Sequence, residues 1–356
     1  MHNAYFLTCI SKFFIFLFSL FTFFCIFVPL TLFNFLISNL PMSLSVRLIL
    51  MTVVLLFCPP KVQAEKLVLM TSWTAQAQFA GYYVAYEKGF YKAVGLDIEI
   101  THPTLSTTPK ITLQHEQPDA IMLSLMSAMD LISQGIPLVN IFQDSMNSSN
   151  LLISRRDNDP LKMKGKEMAI FNADPNYLAY IINKKEKLNY DIIRCTSHIN
   201  LFLSGAIDAT MATSYNEYLQ LLQSGYKMGK ESVYRFSEHG YNIQEQGVYV
   251  MRSYYQNQTK VCQKFASATR QGWEWVAAHP EEALEIVMKY VRSDHAVTNL
   301  TLQRRMLQEV LNLQLDADSK KREFRMRRDM VEKANRLLLE CGLLKRAVSF
   351  EELTVP

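Results

Sequence analysis

The stretch Ser72-Trp73-Thr74-Ala75-Gln76-Ala77-Gln78-Phe79-Ala80-Gly81-Tyr82-Tyr83-Val84-Ala85-Tyr86-Glu87-Lys88-Gly89-Phe90-Tyr91 decides how the rest of the chain is read. It follows the apolar run Leu67-Val68-Leu69-Met70, which has the length and composition of a buried strand. The pattern then turns helical, with Phe79, Tyr82, Tyr83 and Tyr86 at i, i+3, i+4 and i+7. Gly89 stands just past the last periodic residue, where a helix commonly closes in left-handed geometry. The unit is therefore strand, polar-aromatic loop, helix. Ligands of open α/β sheets sit beyond the carboxyl ends of such strands, against helix N-termini. The loop from Trp73 to Gln78 occupies such a place, while Tyr83 and Tyr86 read as core.

The same grammar recurs downstream. Gly95 closes a helical segment, and Leu96-Asp97-Ile98-Glu99-Ile100 alternates as a strand. Residues 110–117 read as a short helix. Pro118-Asp119-Ala120-Ile121-Met122-Leu123 is a short buried strand, ended by Ser124 and Ser127, and a helix follows to Ser133. Residues 137–142 form the next strand. A second block starts near Asn150, with strands at 151–154 and 168–171. Asn172-Ala173-Asp174-Pro175 reads as a turn entering a helix, because Asp caps and Pro suits the first helical position. Asp208-Ala209-Thr210-Met211-Ala212 resembles the 119–123 strand and leads into Ser214-Tyr215-Asn216-Glu217. Strands alternating with helices predict mostly parallel sheets with right-handed crossovers. The remainder is helical: 260–278, a restart at Pro280 with Glu281 and Glu282 in the first turn, 302–315 and 324–341. The basic run 320–328 reads as a solvated helix face.

Composition divides the 356 residues into two regimes. Up to about residue 60 the chain is almost wholly apolar, whereas from Glu65 on it is ordinarily globular. Residues 13–37, from Phe13 to Ile37, reach the roughly 20 needed to span a bilayer. A second apolar stretch begins at Met42, carries Arg47 before its hydrophobic part and ends at Val62-Gln63-Ala64, a pattern of small residues that suits signal peptidase. Residues 42–64 thus read as an export signal. Residues 1–41 read as an upstream extension or, alternatively, as a membrane anchor. The globular part is expected to form two lobes, residues 65–150 with 249–356 and residues 151–248. Its mixed charges, with no long basic stripe, leave no case for nucleic acid. Cys195, Cys262 and Cys341 are too few and scattered for a disulfide scaffold or a zinc site. They read as buried thiols, with a Cys262–Cys341 pair as the alternative.

Three pieces together resemble one family. The Trp73–Tyr91 pattern with Gly95-Leu96-Asp97, the segment Phe202-Leu203-Ser204-Gly205-Ala206-Ile207-Asp208-Ala209 with Tyr215-Asn216-Glu217, and Gly272-Trp273-Glu274-Trp275 through His279-Pro280-Glu281-Glu282-Ala283 are similar to the periplasmic thiamine-pyrimidine, sulfonate and nitrate binding proteins. The resemblance implies an α/β, two-lobed type II periplasmic-binding-protein fold, each lobe a mostly parallel sheet flanked by helices. It implies a periplasmic or otherwise exported monomer that closes about a hinge and delivers a small molecule to an ABC permease at the inner membrane. Some relatives are thiamine-pyrimidine synthases, which use a His in the first ligand loop, a cysteine-rich iron-associated motif and a lysine-bound pyridoxal phosphate as consumed substrate. This chain has Phe79 where that His is sought and no cysteine cluster. The expectation is therefore a binding protein without catalytic residues, cofactor or metal.

A flat heteroaromatic ligand needs stacking faces and a few convergent polar groups. Trp73, Phe79, Tyr82 and Tyr215 are the candidate faces. Gln76, Gln78, Asn216 and Glu217 are candidate hydrogen-bonding groups, and Ser124, Ser127, Asn172 and Ser214 extend the set. A carboxylate suits the amino and ring-nitrogen edge of an aminopyrimidine, whereas a sulfonate or nitrate calls for Arg, Lys or open amides. The first loop holds no cation, which favours a neutral or cationic heterocycle such as a thiamine pyrimidine precursor. Glu217 also admits a simpler reading, as a carboxylate in the first turn of a helix. The histidines, among them His102, His115, His198 and His239, show no ligand spacing and read as surface or capping residues.

Overall fold

A computed structural model describes residues 64–104, 107, 112, 118–155, 158–171, 176–196, 198–316 and 319–355. The expected export signal and upstream extension, most of the helix expected at 110–117 and the turn expected at Asn172–Pro175 lie outside the described residues. Residues 64–356 form one compact unit. Among the described residues no helix is long and apolar enough to cross a membrane.

The first sheet opens on β1 (Glu65–Met70), whose apolar half is buried as its composition dictates. A single 3₁₀ turn at Ala77–Phe79 leads into α1 (Ala80–Glu87), and Gly89 follows at φ 74°, the left-handed stop its position predicts. Then come α2 (Phe90–Ala93), β2 (Leu96–Thr101), β3 (Ala120–Ser124), α3 (Leu125–Ser133) and β4 (Leu138–Gln143). The chain then crosses to the second sheet. That sheet contains β5 (Asn150–Ser154), β6 (Glu167–Phe171), β7 (Asp191–Cys195), β8 (Ala209–Thr213) and β9 (Val233–Arg235). Its helices are α4 (Tyr177–Lys185), α5 (His198–Ser204) and α6 (Glu217–Gln223). The chain returns through β10 (Gln246–Met251) and ends in α7 (Arg252–Asn257), α8 (Thr259–Ala278), α9 (Pro280–Ser293), α10 (Leu300–Leu313), α11 (Arg328–Glu340) and α12 (Phe350–Leu353).

The strand orders are β2-β1-β3-β10-β4 and β7-β6-β8-β5-β9. β1 runs parallel to β2 and β3, and β6 parallel to β7 and β8. One strand in each sheet is antiparallel to its neighbours: β10 in the first, β5 in the second. Each is the strand entered directly after a crossing. The architecture is thus α/β and two-lobed, with each sheet mostly parallel and flanked by helices.

Three apolar cores hold it. The first packs β1, α1, α8 and α9 together, the third fills the outer face of the second sheet. The second joins α3 residues Leu125 and Met126 to β6 residues Met168 and Ile170 and to Val331 and Leu338 of α11, so α11 packs on both lobes. α1 and α8 approach so closely that a Cβ on Gly272 would stand 2.1 Å from the Gly81 carbonyl oxygen. Tyr83 is core, as expected, but Tyr86 is 48% exposed, because α1 turns that position away from α8. Cys262 is buried in the first core and Cys341 in the second, both as free thiols, so they do not pair. The basic run is more than a solvated face: Arg327 bonds the buried Asp316 at 2.7 Å, and Arg270 donates to the Glu323 carbonyl at 2.6 Å.

Candidate functional site

The loop after β1 is fastened from several sides, which fixes where its side chains point. Thr71 Oγ1 donates to the Trp73 carbonyl oxygen at 2.7 Å, and the His102 ring lies 3.1 Å from the same oxygen. The Ala75 amide donates to Asp294 at the end of α9 (2.7 Å), and the Ala77 amide to Gln303 of α10 (2.6 Å). Trp73 thus stands in the cleft, edge-on to Phe171 of the second lobe, with ring centres 4.3 Å apart.

Beside this contact lies a cavity of about 300 Å³, at the small end of the range for small-molecule sites. The first lobe supplies Trp73, Gln76 and Gln303; the second supplies His198, Asn216 and Glu217. Among the described lining residues there is no Lys or Arg, and Glu217 is the single carboxylate. Much of the second-lobe wall is internally bonded. Glu217 Oε2 accepts from the Thr213 amide at 2.8 Å and its Oγ1 at 2.5 Å, Asn216 donates to Glu217 Oε1 at 3.2 Å, and Gln220 donates to Asn216 at 2.8 Å. Glu217 therefore both closes its own strand-to-helix turn and presents negative charge to the cavity. At the surface, Gln223 and Asn299 exchange two hydrogen bonds of 3.1 Å, linking the lobes.

A chain of amides runs inward from this cavity. Gln76 donates to Gln78 (2.6 Å), Gln78 to Gln246 (2.7 Å), and Gln246 to Ser72 (3.0 Å). It ends at a smaller void of about 30 Å³ lined by Gln78, Asp144, Tyr215, Gln246 and Gln314, room for one water molecule. Asp144 is enclosed there, accepting from the Tyr82 hydroxyl (2.8 Å) and from Gln314 (3.1 Å), and burial pushes its carboxyl up to about 7. Close by, the two crossing segments are tied together. Ser145 Oγ accepts from the Glu245 amide at 2.9 Å, while the Glu245 carboxylate accepts from the Ser149 amide and hydroxyl at 3.0 and 2.6 Å.

The residues singled out from sequence therefore part company. Trp73, Gln76, Asn216 and Glu217 meet around the larger cavity, while Gln78 and Tyr215 line the smaller one. Phe79 and Tyr82 do not reach either as stacking faces: both are fully enclosed in the first core, Tyr82 packed between Phe142, Phe265 and Trp273. Ser124 caps α3, accepting from the Ser127 amide at 3.2 Å and donating to the Ser127 hydroxyl at 2.8 Å. Ser214 donates to Glu309 of α10 at 2.8 Å, a link between lobes rather than a lining group. Asn172 lies outside the described residues.

Sequence reasoning passed over the walls that arrive from elsewhere in the chain. His198 opens α5 just past the carboxyl end of β7, a strand of only moderate apolarity whose recognition would have placed a loop here. Its ring lines the cavity and lies 6.1 Å from that of Phe171; burial holds the imidazole below its usual range, against the pull of the Glu217 charge. The turn before α10, with Val297 fully exposed at the rim, and Leu302 and Gln303 behind it complete the enclosure.

Comparison with known proteins places this geometry. A model of the family described as NMT1/THI5 like matches residues 76–283, more than half of the chain. The formylaminopyrimidine-binding protein of Halalkalibacterium halodurans is 24% identical over 277 residues, covering 71% of this chain and 77% of that protein. Among solved structures, the periplasmic aliphatic sulphonate binding protein of Escherichia coli superposes with a TM-score of 0.59 at 13% identity, over 82% of this chain and 97% of its own. The ligand-binding component of an ABC-type import system from Staphylococcus aureus, with zinc bound, gives a TM-score of 0.60 at 10% identity, over 82% and 97%.

Proposed function

The chain belongs to the NMT1/THI5-like family, and from that premise we propose that it is an extracytoplasmic solute-binding protein of an ABC importer, holding an aminopyrimidine of the thiamine-precursor type between its lobes. The observation that carries this reading is the electrostatics of the larger cavity. It has an indole in its wall, one carboxylate and, among the described residues, no cationic side chain. An anionic sulfonate or nitrate would be desolvated there without a charge partner, at a cost of several kcal/mol. A flat heterocycle with amino groups meets a π face and an acceptor instead. The similarity to a formylaminopyrimidine-binding protein points the same way.

Delivery to a permease and residence outside the cytoplasm follow from this reading together with the export signal expected from the sequence of residues 42–64. The two crossing segments, residues 144–149 and 236–245, are the proposed hinge, which assigns β5 to β9 to one moving lobe. An enzyme of pyrimidine synthesis is the competing class. It is disfavoured by the chain's own chemistry: Phe79 is a core residue, and Cys195, Cys262 and Cys341 stand in three different packing environments. Mass spectrometry of small molecules released by denaturing the purified protein tests the proposal. A pyrimidine is the expected species; recovery of an alkanesulfonate would refute the ligand class.

A further inference from the structure

Three glutamine side chains stand in a row between the larger cavity and the place where the two crossing segments meet. Gln76 and Gln78 are buried, and a buried amide costs free energy unless its polar groups are paired. Each is paired by the next in the row: Gln76 donates to Gln78 at 2.6 Å, and Gln78 to Gln246, 168 residues away in sequence, at 2.7 Å. Gln246 is the fixed end. Its backbone carbonyl accepts from the Asp144 amide and the Gln143 side chain, both at 2.9 Å, and its amide donates to Ser145 Oγ at 3.0 Å. Its side chain is braced by Ser72, to which it donates at 3.0 Å. At the other end, the Gln76 amide nitrogen is taken by Gln78. The Gln76 oxygen takes no bond among the described residues and is not one of the sealed-off polar atoms, in a residue that lines the cavity beside Trp73.

We propose that Gln246 is a positioning residue of the cleft: through Gln78 it holds the Gln76 amide with its oxygen toward the cavity, where that oxygen accepts an N–H from the bound aminopyrimidine. This deepens the reading of the cleft as an aminopyrimidine site and rests on it. Fixing a free glutamine side chain costs about 1.5–2 kcal/mol of rotamer freedom. The row of amides moves that cost from binding to folding, which is how preorganisation raises affinity. Gln246 does this without touching the ligand, because its own amide is occupied by Gln78 and Ser72.

The test is a double-mutant cycle read by calorimetric titration of the full-length protein with 4-amino-2-methylpyrimidine. It uses the native chain, Gln76→Met, Gln246→Met and the double variant, methionine keeping the length of the side chain without its amide. Each single variant is expected to weaken binding by roughly three- to tenfold, the worth of one hydrogen bond. The double variant should bind no more weakly than Gln76→Met alone, since Gln246 acts only through Gln76. A merely structural role for Gln246 would lower affinity whether or not the Gln76 amide is present. Losses that multiply in the double variant therefore overturn the proposal, and so does native affinity in Gln246→Met. Should Gln246→Met not fold, Gln78→Met takes its place in the cycle with the same expected and contrary results. If the native protein does not bind the pyrimidine, the aminopyrimidine reading itself falls and this inference with it.

Discussion

Trp73 stands in the cavity wall with its carbonyl oxygen held by Thr71 and beside the His102 ring, so removing the indole leaves the loop's anchors in place. Trp73→Ala is accordingly expected to weaken pyrimidine binding by roughly 10- to 100-fold, the worth of one stacking face, while the thermal midpoint stays near that of the native protein. Unchanged affinity in a titration would remove Trp73 from the site. Asp144 makes the opposite kind of prediction, about stability rather than binding. Its folded carboxyl titrates at about 7 against an ordinary 3.8, so the folded state holds a proton that the unfolded chain has released. Stability is therefore lost as pH rises from about 4 to about 7 and levels off above. Asp144→Asn removes this dependence, and its stability relative to the native protein should rise across that window by on the order of 4 kcal/mol. Parallel pH profiles from chemical denaturation would contradict it. Trp73 shows what sequence reveals at this scale: a Trp directly after a buried strand reads as a cleft wall. Phe79 and Tyr82 share the helical stripe of a core face, and periodicity cannot tell a face that meets ligand from one that meets another helix.

Helices α1 and α8 cross at glycine against glycine, and that contact holds the first ligand loop against the first core. A Cβ on Gly81 would fall 2.3 Å from the Trp273 ring, and one on Gly272 would meet backbone. Alanine normally favours a helix over glycine by about 1 kcal/mol. Here the backbone oxygen cannot swing aside, so Gly272→Ala is expected to destabilise by about 2 kcal/mol or more, measured by urea denaturation. A more stable variant would show that the helices part without cost. At this scale much was legible: the strand-turn-helix repeats, α8 with its apolar residues three and four apart, and Pro280 opening α9. β7 was not, because it is only partly buried and carries Asp191 and Arg194 among its five residues. The turn of β5 and β10 against their neighbours was hidden for a different reason. A buried strand has the same apolar composition in either direction, and only the crossing that precedes it sets its sense.

For the molecule as a whole, two lobes joined by two crossing segments make a device whose closure can trap a ligand. The crossings are cross-linked through Ser145 and the buried Glu245, and the lobes are also linked at the surface by the Gln223–Asn299 pair. The amide chain from Gln76 through Gln78 to Gln246 connects the cavity with the end of the second crossing segment. The cavity itself depends on this assembly, since its walls come from residues near 73, 198, 217 and 300, and only the first and third were visible as sequence motifs. Its charge follows from the same convergence: among the described residues that line it, Glu217 is the one carboxylate and there is no Lys or Arg. The central claim is therefore about ligand class. The most direct measurement is an isothermal titration of the purified protein with an aminopyrimidine of the thiamine-precursor type and, separately, with an alkanesulfonate. The account predicts saturable one-to-one binding of the pyrimidine and no heat of binding from the sulfonate; tight binding of the sulfonate with none of the pyrimidine would contradict it.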